Sequence, residues 1–146
     1  MNRLGLTLFM HTFGVKTEKT CTTKKVTNMT IFNLGSINID HVYMLKRIPK
    51  PGETLSALES LTNIGGKGLN ISAAAHQAGA DVRHIGIISA ADPLVLDKIL
   101  DLGLDCTLIS QIDTQTGHAI VYVDENAENT IVIHGGANLH FSEAQI

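Results

Sequence analysis

The feature that most limits the fold is the alternation, after Met29, of apolar runs with helical segments that end in glycine. Two segments predict helices, Leu69 to Ala78 and Asp92 to Leu102, and a glycine that can adopt the left-handed conformation follows each. Apolar runs typical of buried strands precede, separate and follow these helices, at residues 30–39, 82–88 and 104–112. This βαβαβ order predicts an α/β fold with a largely parallel sheet covered by helices.

Further strands are predicted outside this framework. Residues 49–52 include two prolines and a glycine and predict a turn, and the loose alternation over 53–64 is compatible with a half-exposed strand or hairpin. The runs at 118–123 and 130–134 flank a polar stretch, which predicts an antiparallel hairpin.

Two helix starts can also be read from local sequence. Asp92 before Pro93 predicts an N-cap followed by a proline in the first helical position. Ser142 and Gln145 have the spacing of a capping box, so a further helix is expected to begin there.

Residues 1–28 differ in composition from the rest of the chain. They hold five of its 11 basic residues but one of its 14 acidic residues, together with seven threonines. Because no sustained apolar period runs through them, we predict a disordered appendage before a domain at residues 29–146. A transit peptide has a similar composition and is the less favoured interpretation; in the favoured one, Met29 is the natural start.

Composition argues against several classes of protein. The net charge of −3 is unlike that of a nucleic-acid binder, and no apolar run approaches the roughly 18 residues of a membrane span. Cys21 and Cys106 lie far apart, which predicts no disulfide framework or zinc ribbon and favours a reducing, cytoplasmic setting. The histidines lack the H-x-x-x-H spacing, so no metal site is expected.

A glycine-rich stretch, Gly65-Gly66-Lys67-Gly68, precedes the first predicted helix. Such a stretch lets backbone N–H groups approach a ligand, and the helix dipole and the lysine favour oxygen-rich or anionic groups. It is not a P-loop, because Gly68 and Leu61 stand where a hydroxyl residue and a glycine are required. It is not a dinucleotide fingerprint, because Ile71 replaces the third glycine. Taken alone, it is equally compatible with a plain turn into a helix.

Two polar residues at the end of the first apolar run favour a ligand-binding site over a plain turn. Asn38 and Asp40 are expected at the carboxyl end of a buried strand, where parallel sheets bind ligands. One carboxylate, side-chain amides and backbone donors together can hold the adjacent hydroxyl groups of a sugar. The sequence therefore favours a sugar-binding site.

Several ordered motifs between residues 35 and 138 extend this pattern. They are Gly35-Ser36-Ile37-Asn38-Ile39-Asp40, Pro51-Gly52-Glu53-Thr54, Gly65-Gly66-Lys67-Gly68-Leu69-Asn70, Thr116-Gly117, Glu128-Asn129 and Gly136-Ala137-Asn138. In this order they resemble the ribokinase branch of the PfkB carbohydrate kinase family. The resemblance implies the N-terminal part of a ribokinase-like three-layer α/β sandwich with a small β lid.

The resemblance also implies which residues bind the substrate. They are Asn38, Ile39, Asp40, Gly66, Lys67, Gly68, Leu69 and Asn70. The aspartate is expected to hold sugar hydroxyls, and the hairpin strands resemble the lid over the sugar, which in ribokinases also forms a homodimer. The residues of the Pro-Gly-Glu-Thr and Gly-Gly-Lys-Gly motifs resemble those of ribokinases most, which favours ribose among the related sugars.

The catalytic part of the family is expected to be absent from this chain. The family uses ATP, Mg²⁺ and a monovalent cation (K⁺) beside a Gly-Ala-Gly-Asp motif, and no such motif occurs before Ile146. We therefore expect no catalytic, cofactor or metal residues here, and no kinase activity from the chain alone. The alternatives are a non-catalytic sugar-binding module, a module that interacts with a kinase, or a pseudogene product.

One loop departs from the family pattern. The family carries G-x-D-x-x-G after the strand at 82–88, whereas this chain has Ser89-Ala90-Ala91-Asp92-Pro93-Leu94 and is shorter there. The wall of the site is expected to differ at this point.

Overall fold

The computed structural model describes residues 29–143. The strands are β1 (Thr30–Leu34), β2 (Asn38–Met44), β3 (Glu59–Gly65), β4 (Asp81–Ser89), β5 (Ile109–Ile112), β6 (Gly117–Val123) and β7 (Asn129–His134). The helices are α1 (Lys67–Gln77), α2 (Pro93–Asp101) and a short 3-10 helix (Gly136–Leu139). The predicted appendage and most of the helix expected from Ser142 lie outside the described residues. Within 29–143, no helix is long and apolar enough to cross a membrane.

The first sheet is the predicted parallel one. Its strand order is β1-β4-β5, and both pairs run parallel. Helix α1 connects to β4 and α2 leads on towards β5, so the predicted βαβαβ order is confirmed. The core of this part contains mostly aliphatic side chains of the strands and helices: Ile37, Leu69, Ile88, Val95, Ile99, Leu104 and Ile109.

The predicted strand over residues 30–39 is wrong, because the structure divides it into β1 and β2. Gly35 lies against α1, where its Cα and that of Gly68 approach so closely that a Cβ on Gly35 would lie 2.6 Å from the Gly68 Cα. Ile37 then pairs its backbone with the side chain of Asn138 and not with a neighbouring strand. The chain therefore leaves the parallel sheet and enters a second one.

Helix ends agree with the predicted glycine signals. Gly79 and Gly103 both have positive φ values, of 89° and 78°. At each end two backbone N–H groups turn back onto the last helical carbonyls, for example from Ala80 to Ala75 at 3.0 Å. Helix α1 begins two residues before the predicted Leu69, because Gly66 and not a polar side chain stands at its N-cap.

The prediction that the Asp92 side chain caps α2 is wrong. Asp92 occupies the N-cap position of α2, but its side chain makes no capping hydrogen bond. Its carboxylate accepts a hydrogen bond from the Thr116 hydroxyl at 2.5 Å instead. That hydroxyl also accepts a bond from the Ser89 N–H at 2.9 Å. This connection joins the loop after β4 to the start of β6.

Two predicted strands are shorter than expected. The run at 104–112 forms strand only from Ile109, since the N–H of Leu104 turns back to the carbonyl of Ile99 at 3.4 Å to close α2. The segment at 53–64 forms strand only from Glu59. Glu53 instead forms an ion pair with Arg47 at 2.5 Å.

The second sheet is mixed and has the order β3-β2-β6-β7. Strand β2 is antiparallel to β3 and parallel to β6, and β6 and β7 form the predicted antiparallel hairpin. Successive side chains point to opposite faces. Asn38 and Asp40 therefore share one face with Ala119 of β6 and Ile133 of β7, which the register places side by side. We call this the Asp40 face.

Candidate functional site

Asp40 and Asn38 stand two residues apart at the beginning of β2 and not, as predicted, at the carboxyl end of a parallel strand, because the chain changes sheets after β1. Asn38 is 8% exposed, whereas Asp40 is half-buried. Asp40 has room for its carboxylate because its β3 neighbour is Gly65: a Cβ on Gly65 would lie 3.0 Å from the Asp40 Cγ. Among residues 29–143 no group hydrogen-bonds the Asp40 carboxylate, so it is free to accept from a ligand.

The N-terminus of α1 lies beside these two residues. Gly66 has a φ of 100°, and a Cβ there would lie 2.5 Å from the Ser36 carbonyl oxygen, so both conformation and space require glycine. Asn33 of β1 fixes the first turn of the helix by donating to the carbonyl of Gly68 at 2.8 Å. This turn has no acidic residue and no side-chain cap, and its positive end favours an oxygen-rich group.

These elements surround a depression of about 180 Å³. It is lined by Asn38, Asp40, Gly66, Lys67, Asn70, Ala119, Val121, Ile131 and Ile133. Five of these are residues that the sequence predicted for substrate binding. The structure thus brings a carboxylate, two side-chain amides and a lysine together, opposite an apolar wall from the β6–β7 hairpin.

The other three predicted residues lie elsewhere. The Leu69 side chain is 1% exposed and belongs to the apolar core, and its N–H donates to the Ser36 carbonyl at 3.1 Å. Gly68 packs against Gly35, as described above. Ile39 points to the opposite face of the sheet, where it lines a separate depression with residues of α2. The structure therefore gives their side chains packing contacts and no place in the depression.

Burial also changes the acidity of the site. Partial burial raises the pKa of the Asp40 carboxyl above its usual range, and the neighbouring His41 opposes this shift. A carboxylate that has lost part of its hydration gains more from ligand hydroxyl donors than an exposed one does.

A larger depression of about 440 Å³ lies against the opposite face of the sheet, near Tyr43 and Tyr122. Its carboxylate, Glu53, is already engaged by Arg47 and by the N–H of Lys50 at 2.9 Å. Because those contacts satisfy the carboxylate, this depression has less unused polar chemistry than the one at Asp40.

Comparison with known proteins identifies the family of the chain. Residues 29–146 match the model of the pfkB family carbohydrate kinases. The chain belongs to this family. It is 38% identical over 117 residues to a ribokinase of Haemophilus influenzae, an alignment that covers 78% of this chain and 38% of the relative.

Solved pfkB-type structures have the same fold. A ribokinase from Thermotoga maritima matches with a TM-score of 0.73 and 30% identity, over 82% of this chain and 40% of the other. A ribokinase of Arabidopsis thaliana complexed with ribose and ATP matches with a TM-score of 0.61 and 30% identity, over 75% of this chain and 36% of the other. The chain thus spans well under half the length of these ribokinases.

A metal cofactor is implied by the resemblance to the family, and its side-chain ligands were sought among the described residues. Between residues 29 and 143, no group of three or more histidine, cysteine, aspartate or glutamate side chains is arranged to hold a metal ion.

Sequence reasoning missed the apolar wall of the site in this pfkB-family chain. Ala119, Val121, Ile131 and Ile133 alternate along the predicted hairpin, and the correct register would have placed them on the Asp40 face. It also assigned no role to Asn138, whose side chain contacts Ile37 and Asn38 from about 100 residues away. The only sequence signal for Asn138 was its place in Gly136-Ala137-Asn138, one of the motifs that resemble the family.

Proposed function

We propose that this chain supplies the sugar-binding site of a ribokinase-like kinase, which transfers phosphate from ATP to a hydroxyl of a sugar, with ribose as the substrate. The observation that carries the proposal is the half-buried Asp40 carboxylate, which has no hydrogen-bond donor among residues 29–143, in a depression that also contains Asn38 and Asn70. A chemically matched ligand offers several neighbouring hydroxyl groups. A pentose has this character and a size suited to about 180 Å³.

Each part of the site has a distinct task in this proposal. Asp40 accepts hydrogen bonds from sugar hydroxyls, while Lys67 and the positive end of α1 attract the sugar oxygens. Ile131 and Ile133 cover the carbon skeleton and exclude water. Because phosphoryl transfer depends mainly on positioning and charge stabilisation, holding the sugar is a substantial part of catalysis.

ATP is the proposed phosphate donor, with Mg²⁺ and K⁺ as cofactors of the complete enzyme. Support comes from the Arabidopsis ribokinase, which is complexed with ribose and ATP. We place the reaction in the cytoplasm, since a sugar kinase needs intracellular ATP and the cysteine content suits a reducing compartment.

The Asp40 face is also proposed to form a homodimer. Its outer part carries the exposed aliphatic residues Leu61 and Ile131, at 39% and 51% exposure. Apolar side chains clustered on one sheet face favour burial against a second copy. Leu61→Ser should shift a dimer towards monomer in sedimentation velocity. A monomer in the wild type would contradict this.

A calorimetric or NMR titration with ribose tests the proposal on the 146-residue chain. Asp40→Asn removes the charge while retaining the shape, and should weaken ribose binding about tenfold or more. Asp97→Asn, on the exposed face of α2, is the matched control and should leave the dissociation constant unchanged. Failure of the wild type to bind ribose, or equal binding by Asp40→Asn, would refute the proposal.

The second candidate is a non-catalytic module that docks on another polypeptide through β1. It is favoured by the exposure of Phe32, at 64%, on a strand whose outer edge has no partner among the described residues. We expect a coupled assay of the 146-residue chain to show no ATP-dependent phosphorylation of ribose. Turnover that Asp40→Asn abolishes would contradict this expectation and exclude the second candidate.

A further inference from the structure

The side chain of Asn138 makes three hydrogen bonds to the start of β2. Its Oδ1 accepts from the Ile37 N–H at 2.9 Å. Its Nδ2 donates to the Ile37 carbonyl at 3.0 Å and to the Asn38 Oδ1 at 2.9 Å. One amide in the 3-10 helix thus holds both the backbone and the side chain at the entrance to β2.

These contacts determine the orientation of both amides. A backbone N–H can only donate, so the Asn138 atom facing Ile37 N must be its oxygen. The Asn138 NH₂ group then faces Asn38, and the Asn38 atom that meets it must be an acceptor, Oδ1. The Asn38 Nδ2 is consequently turned away from Asn138, and it has no partner in the part of the chain that the structure describes.

Gly117 makes this arrangement possible. It is the β6 neighbour of Asn38, and a Cβ on it would lie 2.7 Å from the Asn38 Oδ1 and closer still to the Asn138 Nδ2. Both amides therefore occupy the space that a side chain at position 117 would need. The contact depends on glycine for its volume and not for its backbone conformation.

We propose that Asn138 is a positioning residue that locks the Asn38 amide so that it donates a hydrogen bond to the ligand. Asn38 is 8% exposed and lines the depression, so its unused N–H is available to an acceptor oxygen of a ligand there. Asp40, on the same face, requires a donor. The site therefore selects a ligand with an acceptor oxygen opposite Asn38 and a donating hydroxyl opposite Asp40, as adjacent sugar hydroxyls provide.

The ligand part of this inference rests on the proposed sugar-binding function. Asn138→Asp retains an oxygen for Ile37 N but cannot donate to Asn38. The new carboxylate should instead accept a hydrogen bond from the Asn38 Nδ2. The Asn38 amide then flips and points its Oδ1, an acceptor, towards the ligand. Ribose binding should weaken about tenfold to a hundredfold. Asn126→Asp, at the exposed tip of the β6–β7 hairpin, is the matched control and should change it less than twofold.

A double-mutant cycle separates positioning from general structural damage. If Asn138 acts on ribose through Asn38, then Asn138→Asp should have less than a twofold effect once Asn38→Ala has removed the amide. An equal loss in both backgrounds would overturn the proposal. Gly117→Ala leaves both amides present but displaces them, so it should weaken ribose binding as Asn138→Asp does. If Asn138→Asp does not fold, Gly117→Ala is the variant that tests the proposal.

The amide orientation can be tested without a sugar. In the ¹⁵N-labelled wild type, the Asn38 side-chain NH₂ protons should exchange with water faster than those of Asn138. In Asn138→Asp they should slow, because they become hydrogen-bonded. Slow Asn38 exchange in the wild type overturns the positioning role. A chain with the expected exchange that fails to bind ribose refutes the proposed function alone.

Discussion

The two sheets use similar apolar residues in opposite ways. In the parallel sheet, Ile87 and Ile88 of β4 are fully buried, between helices and neighbouring strands. In the four-stranded sheet, every residue of β7 is exposed, including Ile131 and Ile133. Both strands are rich in isoleucine and valine, yet β4 forms the core while β7 leaves its aliphatic side chains in solvent.

This difference separates stability from binding. Buried aliphatic residues stabilise the fold through burial and close packing. Exposed ones on a sheet face contribute little to folding and are more often covered by a ligand or partner. We therefore expect substitutions in the parallel sheet to affect unfolding, and substitutions on the Asp40 face to affect binding.

The largest expected effect is the difference in unfolding free energy between a substitution in the parallel sheet and one on the Asp40 face. Ile88→Ala should lower the free energy of unfolding by about 2–5 kcal/mol, because it leaves a cavity in the core. Ile133→Ala should change it by no more than about 0.5 kcal/mol, since the side chain is 62% exposed. Urea denaturation measures both. Similar losses for the two variants would remove the distinction between the sheets.

A smaller effect concerns the buried histidine of the parallel sheet. His84 is fully buried, shares a hydrogen bond with the Ser72 hydroxyl at 2.9 Å, and burial lowers its pKa. Its contribution to stability is therefore complete above the unfolded-state pKa of about 6.5 and decreases as the pH falls towards the folded-state pKa. Between pH 7.5 and 5.5, the free energy of unfolding of the wild type should decrease more than that of His84→Asn. The exposed His140→Asn should behave like the wild type; if His84→Asn does so too, the burial argument is wrong.

The smallest effect is a pH dependence on the Asp40 face. Since burial raises the pKa of Asp40, its carboxyl takes up a proton at a higher pH than an exposed aspartate does. Ribose affinity should be constant near neutral pH and decrease as acid protonates Asp40. The already neutral Asp40→Asn should show no such decrease. A wild-type affinity that is equally flat down to pH 4 would contradict the assignment.

The sequence predicted what is local, and contacts between distant residues decided the rest. The helix after Gly66 and its end at Gly79 follow from neighbouring residues, and the hairpin follows from alternation. The break at Gly35 lies inside a continuous apolar run, and it depends on Gly68 and on Asn138, which is 101 residues from Ile37. No local pattern contains that information.

The predictions for the site also succeeded or failed according to whether the signal was local. Asn38, Asp40 and the glycine-rich turn were predicted from their motifs and line one depression, whereas Leu69 was predicted with them because a motif does not separate inward from outward positions of a helix. In α1, Lys67 and Asn70 are exposed beside the depression, while Leu69 turns into the core. Helical geometry therefore decides which of the adjacent motif residues can meet a ligand.

The most direct test of the account is a map of ribose binding on the ¹⁵N-labelled 146-residue chain. Chemical-shift changes should concentrate on the amides of Asp40, Gly66 and Asn70 and on the strand residues Ala119 and Ile133, and the core residues Ile87 and Ile99 should not respond. Changes centred on the Tyr43–Tyr122 face, or none at saturating ribose, would contradict the claim that the Asp40 face is the sugar site.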